Sequence, residues 1–448
     1  MVEKESSTKV RCASDEKAAE AAFVQMKKNK VGMVPVIAQA GLAGTAPGYQ
    51  ERVHAFVTDW QLAVVRSITV KSGQNARRRI VTLGTSVLDV NLRAQVQATG
   101  IDALRVEMST GCVTLRCIGK APLWGEKGHS EVNLIAFATV PGAQLVPGGG
   151  LTHSTKQLAE YHRDRRLGIV IHAIDTSHSN FQVAAELVEL GVEYAPLNLA
   201  PATVNLVLCD AQIPPQRMVL RSPPVSSATL EGRCSTLDCL LDAETLSLLI
   251  NSPKSIDVAA YAVTRAKRQG VRIYTVLTPS LPLPFRIERL LSPDEACVCN
   301  LVEFAETVAS LGIFCPVEEK RSNVAAVAQA ISQILRLKVG ADICVTLGEL
   351  GCVAADAITG DVGHICLTYG AREQVRSHLK PERINGSGDR MFAVFAAQHA
   401  RPQGTLIHNS RTLSAAYRAC LEVLRTYSPQ LHPKRNWFDV RIFSDLNH

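Results

Sequence analysis

The chain contains no run approaching eighteen consecutive apolar residues, so an ordinary membrane-spanning helix is excluded. Its thirteen cysteines include no Cys-x-x-Cys pair and no Cys/His cluster at zinc spacing. There is no Gly-x-Ser-x-Gly nucleophile elbow, no Gly-x-x-x-x-Gly-Lys-Ser/Thr phosphate loop and no His-Glu-x-x-His zinc motif. No signal peptide opens the sequence. The cysteine count is odd, and Cys209, Cys344, Cys352 and Cys366 sit in apolar runs. They read as buried free thiols of a reducing compartment. Met1-Val2-Glu3-Lys4-Glu5 is too acidic for an ordinary mitochondrial presequence. The expected location is intracellular and cytoplasmic, with a mitochondrial one as the alternative.

What is present is a globular composition. Of 448 residues, 46% are hydrophobic and 20% charged, enough for one large α/β domain with additions or for two domains. The net charge of +7 permits nucleotide, phosphate or RNA partners without requiring one. Basic clusters at Lys27-Lys28-Asn29-Lys30, Arg77-Arg78-Arg79 and Arg163-Asp164-Arg165-Arg166 read as solvated faces. His153, His172 and His178 read as ordinary polar or core residues.

Residues 1–76 read as an N-terminal helical extension, joined by a polar linker to a main domain over 77–448. Arg79 to Val90 reads as a buried strand and a glycine turn, with Asp89 at or just past the strand's carboxyl end. Open α/β sheets place ligands there, though a turn or cap role fits Asp89 too. Residues 100–147 alternate apolar with polar and suit a small sheet. The run Gly148-Gly149-Gly150 leads into a helix. Strands are expected at 168–173, 203–209, 271–277 and 342–346. Helices are expected at 181–190, 243–250, 256–269, 301–311, 323–337 and 411–426. Residues 210–240 read as loop and 352–369 as a hairpin. This alternation predicts an α/β fold: a doubly wound, mostly parallel sheet with a small strand-rich lid.

The chain is organised around Glu382 to Phe392. Gly386 and Gly388 bracket Ser387, Asp389 follows, and an apolar helical run begins at once. Glycines expose backbone N–H groups, the first N–H groups of a helix have no internal partner, and the helix dipole adds positive potential. The stretch therefore suits an anion hole for phosphate, with Asp389 at its mouth as a general base. It also suits a plain loop entering a helix, with Asp389 as the N-cap.

Company elsewhere in the chain carries a resemblance. Gly386-Ser387-Gly388-Asp389 resembles the Gly-Ala-Gly-Asp core of the ribokinase-like (PfkB) carbohydrate and nucleoside kinases. Asn300-Leu301-Val302-Glu303 is similar to their Asn-x-x-Glu motif, and Thr346-Leu347-Gly348-Glu349-Leu350-Gly351 to their nucleotide-holding strand and loop. Gly84 with Asp89, and then Gly149-Gly150, resemble their substrate-side aspartate and diglycine. The resemblance covers about residues 78 to 432. Thr275 to Pro284 and Tyr427 to Leu431 are similar to segments of pseudouridine kinases.

The resemblance implies ATP-dependent phosphoryl transfer to a hydroxyl of a nucleoside or sugar, pseudouridine first. Asp389 would be the base, and the N–H groups around Gly386, Ser387 and Gly388 would hold the phosphoryl group. Thr346, Gly348, Gly351 and Asn300 would border ATP. Asp89, Gly149, Gly150 and Ser154 would hold the acceptor. Glu303 would position Mg2+ through water, and a monovalent cation is an optional addition. Strands at about 100–147 and 195–220 would form a lid, through which a homodimer could pair. Departures support an alternative. Arg383-Ile384 replaces the family's Asp-Thr, and Arg390 replaces a small residue beside the phosphate site. Ser154 (or His153, on another alignment) stands for an asparagine, and Thr278 for an acid. The alternative is an impaired kinase fold serving as a scaffold or assembly factor in an RNA–protein complex of ribosomal type.

Overall fold

The structure is a computed structural model describing residues 78–443, apart from 94, 99–102, 109–110, 117–142, 165–167, 178–180, 198–202, 210–216, 222–233, 318–321, 337–339, 379–385, 401–409 and 428–430. The helices expected over 1–76, the residues Arg383 and Ile384, and much of the expected lid lie outside the described residues.

In chain order come strands β1 (Arg79–Gly84), β2 (Val87–Arg93), β3 (Gln95–Ala98), β4 (Ala103–Met108), β5 (Gly111–Arg116) and β6 (Gln144–Gly148), then helix α1 (Gly150–Asp164). Next are β7 (Val170–Asp175), α2 (Phe181–Glu189), β8 (Glu193–Pro196), β9 (Thr203–Cys209), β10 (Arg217–Arg221) and α3 (Cys234–Leu240). There follow β11 (Thr245–Asn251), α4 (Ile256–Arg268), β12 (Arg272–Val276), α5 (Leu283–Leu290), β13 (Glu295–Asn300), α6 (Leu301–Ala309) and α7 (Ser322–Arg336). The last elements are β14 (Asp342–Thr346), β15 (Cys352–Ala355), β16 (Val362–Leu367), α8 (Tyr369–His378), α9 (Ser387–His399), α10 (Arg411–Tyr427) and β17 (Phe438–Ile442).

One ten-stranded sheet orders them β17-β16-β15-β14-β13-β12-β11-β1-β7-β8. From β14 to β8 every pairing is parallel, and β15, β16 and β17 add an antiparallel edge. Parallel strands covered on both faces must be apolar on both, and β1 is buried at every position. Leu249 faces the layer of α1, α2, α9 and α10, while its neighbours Leu248 and Ile250 face α3 and α4. Farther along the same second face, Phe304 of α6 and Ile331 of α7 cover Val345, Val353 and Val362. Two small sheets stand apart, β10-β9-β2-β6 and β3-β4-β5. The architecture is the expected doubly wound α/β fold.

Some elements differ from expectation. Residues 245–251 form the buried parallel strand β11, not a helix over 243–250. Leu-Ser-Leu-Leu-Ile is too short for its period to decide, and burial on both faces selects the strand. The expected loop at 210–240 contains β10 and α3. Strands β13 and β17 and helices α5 and α8 were not anticipated.

His172 lies 4% exposed on β7, with Nδ1 3.2 Å from Glu193 Oε2 on β8. Burial and then the Arg79 guanidinium pull its pKa down to about 4, and Asp242 opposes them only in part. The unfolded chain takes up this proton near pH 6.5, so stability present above that pH is lost as pH falls toward 4. The expected loss from this group is about 2 kcal/mol by about pH 5. Urea midpoints near pH 7.5 and pH 5 measure it, and His172→Gln narrows the difference between them.

Candidate active site

The carboxyl ends of the parallel strands form one row. Gly84 is in register with Asn251 on one side and Asp175 on the other, and Asn300 with Thr346. A doubly wound sheet leaves room for ligands along this edge.

Helix α9 starts at the same edge. Gly386 is its N-cap, left-handed at φ 70°, with no side-chain capping bond. A side chain at Gly386 would be strained by that φ, and its Cβ would lie 2.8 Å from the His153 ring. The first helical acceptor, Gly386 O, takes its bond from Arg390 N at 2.9 Å. The N–H groups of Ser387, Gly388 and Asp389 precede that bond and have no acceptor within the helix. Gly388 is exposed, with open space where a Cβ would be. This cradle fits a phosphate oxygen.

Asp389 does not cap its helix. Its Oδ1 accepts a hydrogen bond from Asn251 Nδ2 at 2.8 Å. The same Nδ2 lies 2.7 Å from Ser154 Oγ and 3.1 Å from Gly150 O, and Ser252 Oγ donates to Asn251 Oδ1 at 3.2 Å. Asn251 thus ties the end of β11 to the start of α1 and to Asp389. Close approach requires glycine here: a Cβ on Gly150 would sit 2.3 Å from Asn251 Oδ1. Ser154 is buried, and its Oγ reaches Asp389 O at 3.5 Å. An amide stands beside Asp389 here, that of Asn251 on β11, with Ser154 against it.

Asp89 does not follow the carboxyl end of β1. The chain breaks at Thr85-Ser86 and enters the four-stranded sheet, leaving Asp89 in the middle of β2. It is 4% exposed and accepts from Asn205 Nδ2 at 3.0 Å. It packs beneath Gly148, where a Cβ would meet its Oδ2 at 2.3 Å. Gly149 has φ 89° and connects this sheet to α1. The buried Asp175 accepts from Ser86 N, Ser177 N, Ser177 Oγ and Tyr194 Oη at 2.6 to 3.1 Å, which makes it a structural tie.

Asn300 and Glu303 form a reciprocal capping box at the start of α6, each side chain 2.9 Å from the other's backbone N. Thr346 Oγ1 donates to Cys299 O at 3.4 Å. Gly348 and Gly351, both at positive φ, bracket a turn closed by Leu347 N to Gly351 O at 2.8 Å. Among the described residues no group of three His, Cys, Asp or Glu side chains could hold a metal. A cation here would travel on phosphates, as Mg2+ commonly does.

Arg390 is tied to α10. Its guanidinium donates to Thr426 Oγ1 on α10 at 3.1 Å and is thereby anchored to that helix. Thr278 joins a hydroxyl cluster beside Asn251, 2.5 Å from Ser280 Oγ and 3.4 Å from Ser252 Oγ. Asn251 itself was missed. Its signal was an amide ending an apolar run just before Ser252-Pro253, read through as helix.

No protein-family model and no curated protein sequence matches the chain. Among solved structures it is similar to a possible 1-phosphofructokinase from Thermotoga maritima, at 13% identity over 82% of this chain and 99% of that one, with a TM-score of 0.52. Phosphofructokinase-2 from Escherichia coli matches at 15% identity over 78% and 94%, TM-score 0.49. Ribokinase from Thermotoga maritima matches at 15% over 80% and 96%, TM-score 0.47. What the chain shares with the first of these is its fold, a ribokinase-like α/β fold.

Proposed function

We propose that the protein transfers a phosphoryl group from ATP to a hydroxyl of a sugar or nucleoside. One observation carries this reading: the Asp389 carboxylate is held by Asn251 at the open amino end of α9, against Gly150 and Ser154. Asp389 accepts the proton of the attacking hydroxyl. The N–H groups of Ser387, Gly388 and Asp389 receive the charge that develops on the phosphoryl oxygens. Gly149, Gly150 and Ser154 border the acceptor, and Asp89 supports them from below. Thr346, Gly348, Gly351 and Asn300 border the nucleotide. ATP supplies the transferred group; Mg2+ bound with it would supply counter-charge, and Glu303 would help hold that cation through water. The two small sheets exclude water as a lid.

Pseudouridine is the preferred acceptor, on the likeness of Thr275 to Pro284 and Tyr427 to Leu431. The scaffold reading rests on Arg383, Ile384 and Arg390, on Ser154 in place of an asparagine, on the basic balance and on the N-terminal extension; Arg390 donates to Thr426 on α10. ATP consumption with Mg2+ over a nucleoside and sugar panel tests the proposal. Turnover on one compound is the expected result. Silence across the panel from folded protein transfers the weight to the scaffold, whose own signature is salt-sensitive RNA binding.

Asn251 acts here as a positioning residue. Asn251→Leu is expected to lower kcat about tenfold to a hundredfold, with KM for ATP close to the original value. Steady-state kinetics separate this from a general packing defect, which moves both constants.

A further inference from the structure

The face of the sheet opposite α9 carries a cleft of about 390 Å³ along its antiparallel edge, between α7, α8, β16 and β17. This volume lies in the range of small-molecule sites. Residues along β16 alternate between the two faces. Ile365 joins the core beneath α9 and α10, and a Cβ on Gly363 would meet Leu413 of α10 at 2.9 Å. His364 therefore points the other way, into the cleft.

The lining mixes basic and aromatic groups: Arg372, Arg441 and His364 stand with Tyr369, Phe443 and Asp439. Arg372 Nε is buried with no hydrogen-bond partner, and Arg441 lies over the Phe443 ring at 5.5 Å. Among the described residues neither guanidinium has a carboxylate partner. Nearby acids do not relieve them, since Glu349 and Glu373 both pair with Arg376. Among the described residues Asp439 is the one carboxylate on the wall. His364 Nε2 is held 2.7 Å from Leu350 O. Its pKa is depressed, first by burial and then by Arg441 and Arg372, whose fields converge on this ring. Tyr369 is 77% exposed at the rim.

We infer that this cleft is a second binding site, for a small phosphorylated molecule with a flat ring, of the nucleoside monophosphate class. The phosphate sits on Arg372 and Arg441, which bind it with charge-assisted hydrogen bonds. The ring packs on Tyr369 and Phe443, and Asp439 accepts from a sugar hydroxyl. The ligand occupies the face opposite α9, so it is a bystander to chemistry at Asp389 and suits a regulatory role. The inference does not rest on the phosphoryl-transfer reading.

Calorimetric titration of the full chain tests it with three probes: AMP, inorganic phosphate and adenosine. The expected order is AMP bound at least about tenfold tighter than phosphate, with adenosine leaving the His364 ring unmoved. AMP should shift the His364 ring signals in NMR spectra. The double variant Arg372→Gln/Arg441→Gln should weaken AMP at least about tenfold and abolish that shift. Adenosine moving the His364 signals as AMP does, a His364 shift undiminished in the double variant, an unmoved His364 signal, or no binding of AMP and phosphate would each overturn the inference. If the double variant melts early, Arg441→Gln alone, exposed on the edge strand, gives the same readout with a smaller change.

Discussion

Asp389→Asn reduces turnover at least about a thousandfold, while ATP affinity stays within about twofold of the wild type. The substitution is isosteric, and the hydrogen bond from Asn251 Nδ2 can still be received by the new amide oxygen. Asn251, Ser154 and Gly150 therefore remain in place, and the loss is one of chemistry. An amide cannot take the proton of an attacking hydroxyl at neutral pH. The backbone N–H groups of α9 are untouched, so the phosphate cradle survives and nucleotide binding with it. Folding stability should change by no more than about 0.5 kcal/mol, since the half-buried carboxylate exchanges one polar group for another. Rate, ATP affinity and thermal melt together decide the matter. A variant within tenfold of the wild-type rate removes Asp389 from the base's role and the proposed mechanism with it.

The amino end of α9 was legible because two glycines, a carboxylate and an apolar run are adjacent in sequence, and each acts locally. Asn251 was not, because its meaning depends on pairing between β11 and β1, which brings it beside Gly84. Nothing local distinguishes a buried parallel strand from a turn and a half of buried helix over so few residues. Asp89 was expected at or just past the end of β1 rather than within a second strand, for a related reason. Thr85-Ser86 switches the chain between sheets without interrupting its β-like composition. Strand β13 hid behind small residues, Ala-Cys-Val-Cys, which pack well in a sheet but carry a weak β signal. Arg390 shows the limit for side chains. Its place in the first turn was readable, but its direction is set by Thr426, 36 residues later. The Asn300–Glu303 spacing was read as a kinase-like motif, and its capping box at the start of α6 went unread.

The largest expected stability effect lies far from Asp389. Arg289 and Glu295 are 1% and 2% exposed, and Arg289 NH1 donates to Glu295 Oε1 at 2.6 Å. Lys267 reaches the same oxygen at 3.0 Å, and the Arg289 guanidinium lies over Phe285 at 5.2 Å. Burial raises the pKa of Glu295, and Arg289 is the main force opposing it. Arg289→Ala leaves a buried carboxylate with only the half-exposed Lys267 and the Ser292 hydroxyl, and should cost about 3–5 kcal/mol. The sign of its pH dependence is fixed. The pKa of Glu295 in the folded variant rises further above its unfolded value, so the folded protein holds this proton more tightly than the unfolded chain. The variant's deficit relative to wild type is therefore largest near neutral pH and shrinks as pH falls and Glu295 is protonated. Comparing urea midpoints of the two proteins at each pH cancels the histidines they share. The double replacement Arg289→Met/Glu295→Leu, which removes both charges and keeps the volume, should be much nearer wild type than either single change. A double variant as unstable as Arg289→Ala would instead make packing on Phe285, rather than the orphaned charge, the source of the loss.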